Sequence, residues 1–293
     1  MTQLWRHCEG IARRQVRIRV AAAGLNRADL LQRAGLYPPP PGASEFLGLE
    51  CAGVISEVGA GVSWQVGDRV CALLAGGGMA EEVVVDARHV LPVPEGLSLQ
   101  QAAAIPEVYA TAWLNLFQLG GLKPGEKVLL HAGASGVGVG SAERLAYCQA
   151  LGASGGVVRG DDIEALNDFA PFDVILDPVG ANYAALNLKL LARDGRWVII
   201  GLMGGRKAEL DLAQVLAKRV QVTGSTLRNR DDQFKADLLS DLGQQVWPLF
   251  AEGRLKPQLV GSYAVKDAEA AYAELAGNQV SGKLVLVIDD SLV

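Results

Sequence analysis

Two patterns of apolar and polar positions divide the chain. From residue 16 to about 105, short β-branched runs are broken by Gly and Pro. Val16-Arg17-Ile18-Arg19-Val20 and Val54-Ile55-Ser56-Glu57-Val58 have period two, and Glu82-Val83-Val84-Val85 has it less strictly. Period two sends successive side chains to opposite faces, so these runs read as half-buried strands. Gly59-Ala60-Gly61, Val66-Gly67-Asp68 and Gly76-Gly77-Gly78 lie between them as turns. The pattern predicts a small antiparallel barrel or sandwich. From about 108 to 245, helical stretches alternate with the short apolar runs 128–131, 156–158, 173–176, 197–200 and 220–222. Such alternation predicts a parallel, doubly wound sheet. The tail returns to mixed texture and ends in Gly282-Lys283-Leu284-Val285-Leu286-Val287-Ile288, a further strand. The expected division is therefore 1–107 with 248–293 as one domain and 108–247 as the other.

One turn carries candidate chemistry. Ala132-Gly133-Ala134-Ser135-Gly136-Val137-Gly138 follows the apolar run Lys127-Val128-Leu129-Leu130-His131. Small residues let backbone approach a ligand, and a helix starting there aims free N–H groups at a phosphate. Strand, glycine turn and helix together cradle a dinucleotide pyrophosphate. Glycine turns between strand and helix also arise for steric reasons alone, so the surrounding motifs decide.

Composition narrows the classes. With 293 residues, half of them hydrophobic and a fifth charged, the chain has enough apolar surface for two cores. A net charge of −5 with scattered basic residues argues against nucleic acid or an anionic membrane as main partner. Cys8, Cys51, Cys71 and Cys148 are widely spaced, which predicts reduced thiols serving as small apolar side chains, and a cytoplasmic protein. The N-terminal residues lack an apolar h-region, and no apolar run reaches the length of a membrane span.

Further motifs appear in order: Gly24-Leu25-Asn26-Arg27-Ala28-Asp29, Gly35-Leu36-Tyr37-Pro38-Pro39-Pro40, Gly48-Leu49-Glu50, Val66-Gly67-Asp68-Arg69-Val70 and Ala102-Ala103-Ala104-Ile105-Pro106. With the glycine turn and Asp194-Gly195-Arg196-Trp197 leading to Gly201-Leu202-Met203-Gly204-Gly205, they resemble the medium-chain dehydrogenase/reductase superfamily across nearly the whole chain. They are most similar to its zinc-free NADPH:quinone oxidoreductase branch, in particular the tumour-suppressor-inducible group. The resemblance implies a GroES-like β-barrel catalytic domain, a Rossmann NADPH-binding domain, and a homodimer that passes hydride to a quinone in the interdomain cleft.

Zinc-dependent relatives carry Cys and His at the positions of Asn26 and Leu49, and neither residue here is a zinc ligand. No cysteine cluster stands for the structural zinc loop either. A metal-free enzyme is therefore expected, since an electron-poor acceptor needs no Lewis acid.

The chain departs from the superfamily after Gly138. A helix and strand, about 16–20 residues by usual lengths, are absent before Val139-Gly140-Ser141-Ala142-Glu143-Arg144-Leu145. A proline-rich loop before Val16 is absent too. On one reading, residues 141–151 form the helix that follows the glycine turn, Gly156–Val158 is the second strand, and Asp161 is the ribose acid of an NAD site. On the other, a segment is missing and Val139-Gly140-Ser141 closes the second strand. The second is preferred because Val and Gly sit poorly in a first helical turn.

Under that preference the resemblance implies that Ser141, Arg144 and Arg159 face the adenosine ribose, with Arg144 on the 2′-phosphate; guanidinium suits phosphate by bidentate charge-assisted bonds. It implies that Ala134, Ser135, Gly136, Val137 and Gly138 hold the pyrophosphate. Thr111, Gly201, Leu202, Met203, Ser225, Thr226, Leu227 and Asn278 then surround the nicotinamide. Tyr37, Asn26 and Ser135 are the expected catalytic residues, with the Tyr37 hydroxyl polarising a quinone oxygen. Each has a plainer alternative: Tyr37 a loop aromatic, Ser135 a helix cap, Arg144 a solvated helix arginine. His131 is expected to pack, and His7 and His89 to lie at the surface. Two other functions remain open: a 2-enoyl reductase using the same hydride chemistry, and a non-catalytic NADPH-binding protein of crystallin or RNA-binding type.

Overall fold

The computed structural model describes residues 10–131, 142–158, 163–277 and 280–293. In chain order the elements are β1 (Gln15–Gly24), α1 (Arg27–Arg33), β2 (Glu50–Val58), β3 (Arg69–Leu73), β4 (Glu82–Asp86), β5 (Val90–Pro92), α2 (Leu99–Ala102), α3 (Pro106–Trp113) and β6 (Val128–Leu130). They continue with α4 (Ala142–Ala150), β7 (Phe172–Asp177), α5 (Ala184–Leu190), β8 (Leu191–Ile199), α6 (Leu212–Lys218), β9 (Gln221–Gly224), α7 (Asp232–Gln245), α8 (Trp247–Ala251), β10 (Leu259–Ala264), α9 (Ala268–Ala276) and β11 (Lys283–Val287). Two compact units result: Met1–Ala110 with Leu227–Val293, and Thr111–Thr226.

The first unit is built around β1. Its first half, Gln15–Arg19, pairs antiparallel with β4, and Ala22–Gly24 pairs antiparallel with β11. Along its other edge it pairs with β2, giving the order β10-β11-β1-β2-β3-β5. Val16, Ile18 and Val20 are fully buried while Arg19 is exposed, as period two requires. Those three pack with Cys51, Ile55 and Val70 into one core. Cys51 and Cys71 are buried fillers: burial pushes the Cys51 thiol up to about 12, and moves Cys71 upward too. A second cluster joins Leu25 to Ala271 and Tyr272 of α9 and to Leu284 and Leu286 of β11. The tail thus folds onto the first unit by a strand, as its texture indicates.

Where the chain returns to this unit differs from the texture. The helical period of α7 reads as part of the alternating region, yet α7 packs within the first unit. His89 Nε2 lies 2.9 Å from the Asp232 carbonyl, Trp247 Nε1 donates to the Pro92 carbonyl at 2.8 Å, and Leu91 abuts Gly243. His89 is correspondingly buried, not at the surface.

The second unit holds the parallel sheet β6-β7-β8-β9. Leu129, Ile175 and Trp197 sit in neighbouring register, with Phe172, Leu190 and Leu191 completing the core. Gly156–Val158 forms no strand. Val157 is buried among Leu166 and Phe172, and the space a side chain would need at Gly155 and Gly156 is taken by Phe169 and Leu145. The reading that makes this segment the second strand loses its strand; its ribose acid, Asp161, lies outside the described residues. Among the described residues no helix is long and apolar enough to cross a membrane.

Candidate active site

In the first unit, strand pairing gathers residues far apart in sequence. Ala23 of β1 is opposite Cys51, and Gly24 is opposite Val285, so the starts of β2 and β11 flank the end of β1. Asn26 follows β1, Glu50 opens β2 and Lys283 opens β11. Gly24 is required here: a Cβ would lie 2.4 Å from Glu50 Oε1 and 2.6 Å from the Ala103 carbonyl. Lys283 Nζ donates to Glu50 Oε1, to Asn26 Oδ1 at 2.7 Å and to the Leu25 carbonyl at 3.1 Å. Asn26 Nδ2 donates to Glu50 Oε1 at 2.9 Å, so both ends of the amide are committed. Glu50 is fully buried, and its Oε2 accepts the Glu107 N–H, 2.9 Å away in the first turn of α3. An ammonium on one side and a helix N-terminus on the other compensate the carboxylate.

Asp29 stands in the first turn of α1 and accepts the Asn26 N–H at 2.7 Å. Its other oxygen is buried without a hydrogen-bond partner among the described residues. Burial raises its pKa to about 6, with backbone hydrogen bonding to Asn26 opposing. This donor set does not fit zinc. Leu49 is a buried hydrocarbon, and the Asn26 and Glu50 oxygens already hold an ammonium.

Tyr37 lies half-buried in the proline-stiffened loop after α1. Its hydroxyl has no hydrogen-bond partner among the described residues. Burial raises the phenol pKa, with the Arg228 charge lowering it and Glu107 raising it. Arg228 is 5 % exposed, and its guanidinium carbon lies 5.3 Å from the Tyr37 ring centroid. No sequence pattern singled out Arg228. Leu227, the residue before it, is half-buried, and its carbonyl accepts the Arg230 N–H at 3.1 Å.

In the second unit, a neutral network surrounds one carboxylate at the end of β7. Asp177 Oδ1 accepts the N–H groups of Val179 at 2.7 Å and Gly180 at 3.0 Å. Its Oδ2 accepts Asn187 Nδ2 at 2.9 Å and Trp197 Nε1 at 3.0 Å. Since Asn187 Nδ2 donates, Asn187 Oδ1 must accept, and His131 Nε2 at 2.6 Å carries the proton. Burial lowers the His131 pKa, so the ring is neutral and Nδ1 is a bare acceptor, unpartnered among the described residues. His131 therefore packs, as expected, but as a polar network member rather than filler. The lone Asp ending an apolar strand was the visible signal.

The loops after β7 and β8 meet backbone to backbone. At Gly201 a Cβ would come within 2.8 Å of the Pro178 carbonyl. Gly180, with φ of +80°, approaches the Gly205 carbonyl equally closely. The Met203 N–H donates to the Pro178 carbonyl at 3.2 Å. Leu202 is exposed beside a cavity of about 160 Å³ lined with Gly180, Trp197 and Val222. Ser225 donates its N–H to Ile199 at 2.9 Å, Thr226 is exposed, and the half-buried Thr111 gives its carbonyl to Asn115 at 2.7 Å. Small, backbone-lined loops at the carboxyl ends of parallel strands fit one end of a dinucleotide. Ala134, Ser135, Gly136, Val137, Gly138, Ser141, Arg159 and Asn278 lie outside the described residues. Arg144 falls on α4.

Comparison with known proteins agrees with this architecture. Residues 12–95 match the alcohol dehydrogenase GroES-like domain, and residues 157–286 match a zinc-binding dehydrogenase domain. The chain is 30% identical to a quinone oxidoreductase of Pseudomonas syringae pv. Tomato DC3000, with a TM-score of 0.82, covering 97% of this chain and 94% of that one. It is 27% identical to the CurK enoyl reductase, also at TM-score 0.82, covering 97% and 94%. Over 296 residues it is 33% identical to the polyketide synthase GfsB of Streptomyces halstedii, covering 95% of this chain but 5% of that protein. On this evidence the chain belongs to the medium-chain dehydrogenase/reductase superfamily of oxidoreductases.

Proposed function

We propose that the protein is a zinc-independent, NADPH-dependent reductase whose acceptor is a quinone. The observation that carries this reading is the hydroxyl of the half-buried Tyr37, which bonds no other group among the described residues, in a unit whose would-be metal positions are an engaged amide and a leucine. A reduced nicotinamide, when bound, supplies the hydride. The remaining work falls to this chain's own residues. The Tyr37 hydroxyl keeps its proton at neutral pH, because burial raises its pKa, and donates a hydrogen bond to the acceptor oxygen as charge develops there. Asn26, with both amide ends held, acts by fixing the turn into α1 rather than by touching the acceptor. Gly201, Leu202 and Met203 line the cofactor, with Thr111, Ser225, Thr226, Leu227 and Asn278 around it. Ala134 to Gly138 take the pyrophosphate, with Ser135 also toward the acceptor. Ser141, Arg144 and Arg159 face the adenosine ribose, with Arg144 on the 2′-phosphate.

A second reading, reduction of a 2-enoyl thioester, is favoured by the likeness to CurK and to polyketide synthases. Oxidation of NADPH followed at its absorbance with a simple ortho- or para-quinone, and separately with a 2-enoyl thioester, separates the two. Quinone turnover is expected, and turnover of the thioester alone overturns the first reading. Arg144→Glu places a like charge against the 2′-phosphate, so NADPH binding should weaken while NADH binding holds.

A further inference from the structure

Arg228 is a buried guanidinium whose hydrogen bonds among the described residues all go to uncharged oxygens. Its Nε donates to the Ala75 carbonyl at 2.7 Å, one terminal nitrogen to the Tyr37 carbonyl at 3.3 Å, and the other to Gln32 Oε1 at 2.8 Å. Those three acceptors belong to three segments: the chain after β3, the proline loop, and α1. A fork with five rigid donors can reach all three at once while its plane lies against a ring. The same group also stands against the Tyr37 ring.

Surface arginines seldom justify such burial, because desolvating the charge costs energy that uncharged acceptors return only in part. The charges around it do little to neutralise it. Asp29 acts on it from α1, and Lys235 of α7, itself 6 % exposed, adds a second positive charge. A positive centre kept beside one phenol has a direct chemical use: it stabilises the partial negative charge that gathers on the phenol oxygen as its proton is drawn toward an acceptor.

We propose that Arg228 is a positioning residue for Tyr37, clasping its loop by the backbone carbonyl and its ring by the guanidinium, and so setting the hydroxyl's hydrogen-bond strength toward a carbonyl-type acceptor. The inference rests on the reading of Tyr37 as the acceptor-polarising group. The charged groups that act on the Tyr37 phenol are Arg228 and Glu107, so removing Arg228 leaves burial and Glu107 unopposed.

The test uses Arg228→Met, Arg228→Lys and Tyr37→Phe in the full chain. Rapid pH-jump absorbance, with the Tyr37→Phe signal subtracted, isolates the Tyr37 phenol and needs neither cofactor nor acceptor. Arg228→Met should raise its midpoint, because the charge that lowers it is gone. Arg228→Lys should leave the midpoint near wild type, because the charge stays. In turnover with a simple quinone, Arg228→Met should lower kcat/KM about tenfold without changing KM for NADPH. In the Tyr37→Phe background the same substitution should cost little, because the two residues act as one unit. An unmoved phenol, or an equal loss in both backgrounds, overturns the proposal. A shifted phenol in a protein that turns over no quinone supports the clasp while overturning the quinone reading. If Arg228→Met does not fold, Arg228→Lys decides: a turnover loss that vanishes in the Tyr37→Phe background supports the clasp, and one that persists overturns it.

Discussion

The two units bury polarity in opposite ways. The first keeps opposite charges in contact: Lys283 against Glu50, with Asn26 between them and Asp29 nearby. The second keeps one carboxylate, Asp177, and surrounds it with four neutral donors and a neutral histidine. A buried ion pair depends on both members, because removing one strands the other in low dielectric. A carboxylate held by several N–H groups loses only a share when one donor goes. The first arrangement should therefore break sharply when one member is removed, whereas the second should degrade in steps.

The largest effect expected is at Lys283. Lys283→Met leaves Glu50 fully buried without its ammonium, which should cost about 3–5 kcal/mol in urea unfolding followed by circular dichroism. Adding Glu50→Gln should restore a large part of that loss. A single variant costing no more than a surface substitution would show that water reaches Glu50, and the contrast between the units would fail.

The next effect concerns pH. Asp29 has a folded pKa of about 6 against an ordinary value of 3.8, so the folded state holds an extra proton between those limits. Stability from this group is fully present below about pH 4 and is lost as pH rises to about 6, by up to about 3 kcal/mol. Subtracting the curve of Asp29→Asn from that of wild type isolates it. A difference curve that is flat, or that rises with pH, removes the claim that burial raises the Asp29 pKa.

In the second unit, Asp177→Asn should cost about 1–3 kcal/mol, since its new N–H₂ faces donors from Asn187 or the backbone. Trp197 fluorescence reports the change locally, because its Nε1 bonds the same carboxylate. In wild type, ¹⁵N spectra of His131 at neutral pH should show Nε2 protonated and Nδ1 bare. A doubly protonated ring there would place a charge where the network has none.

What could be read beforehand follows the same division. Period two and strand–helix alternation gave the barrel, the parallel sheet and the return of β11, because faces and layers follow from local patterning. The boundary at α7 was not legible, since an amphipathic helix does not say which core its apolar face meets. Tyr37 stood out by its proline-rich setting and Asn26 by its place in a motif. Lys283 was visible only as one charge opening an apolar strand, and Arg228 not at all. Both matter through contacts made across 233 and 191 residues of sequence, to Glu50 and to the Tyr37 carbonyl. Local pattern carries no record of pairings at that range.

The smallest effect is the most specific to function. Tyr37→Phe removes one hydroxyl that bonds nothing else among the described residues, so stability and NADPH affinity should barely move. If the hydroxyl donates to the acceptor, kcat/KM for quinone should fall by the worth of one hydrogen bond, about 0.5–1.5 kcal/mol, or two- to twelvefold. Tyr37→Ala should cost more, because the aromatic wall and the surface facing Arg228 go with it. The pH profile sharpens the reading. A donor whose pKa is raised by burial stays protonated across the neutral range, so the ratio of wild type to Tyr37→Phe should be constant from pH 6 to 9. A ratio near one throughout would mean that the hydroxyl meets only water. Turnover would then rest on holding two reactive partners together, and the charged cluster of the first unit would serve the fold alone.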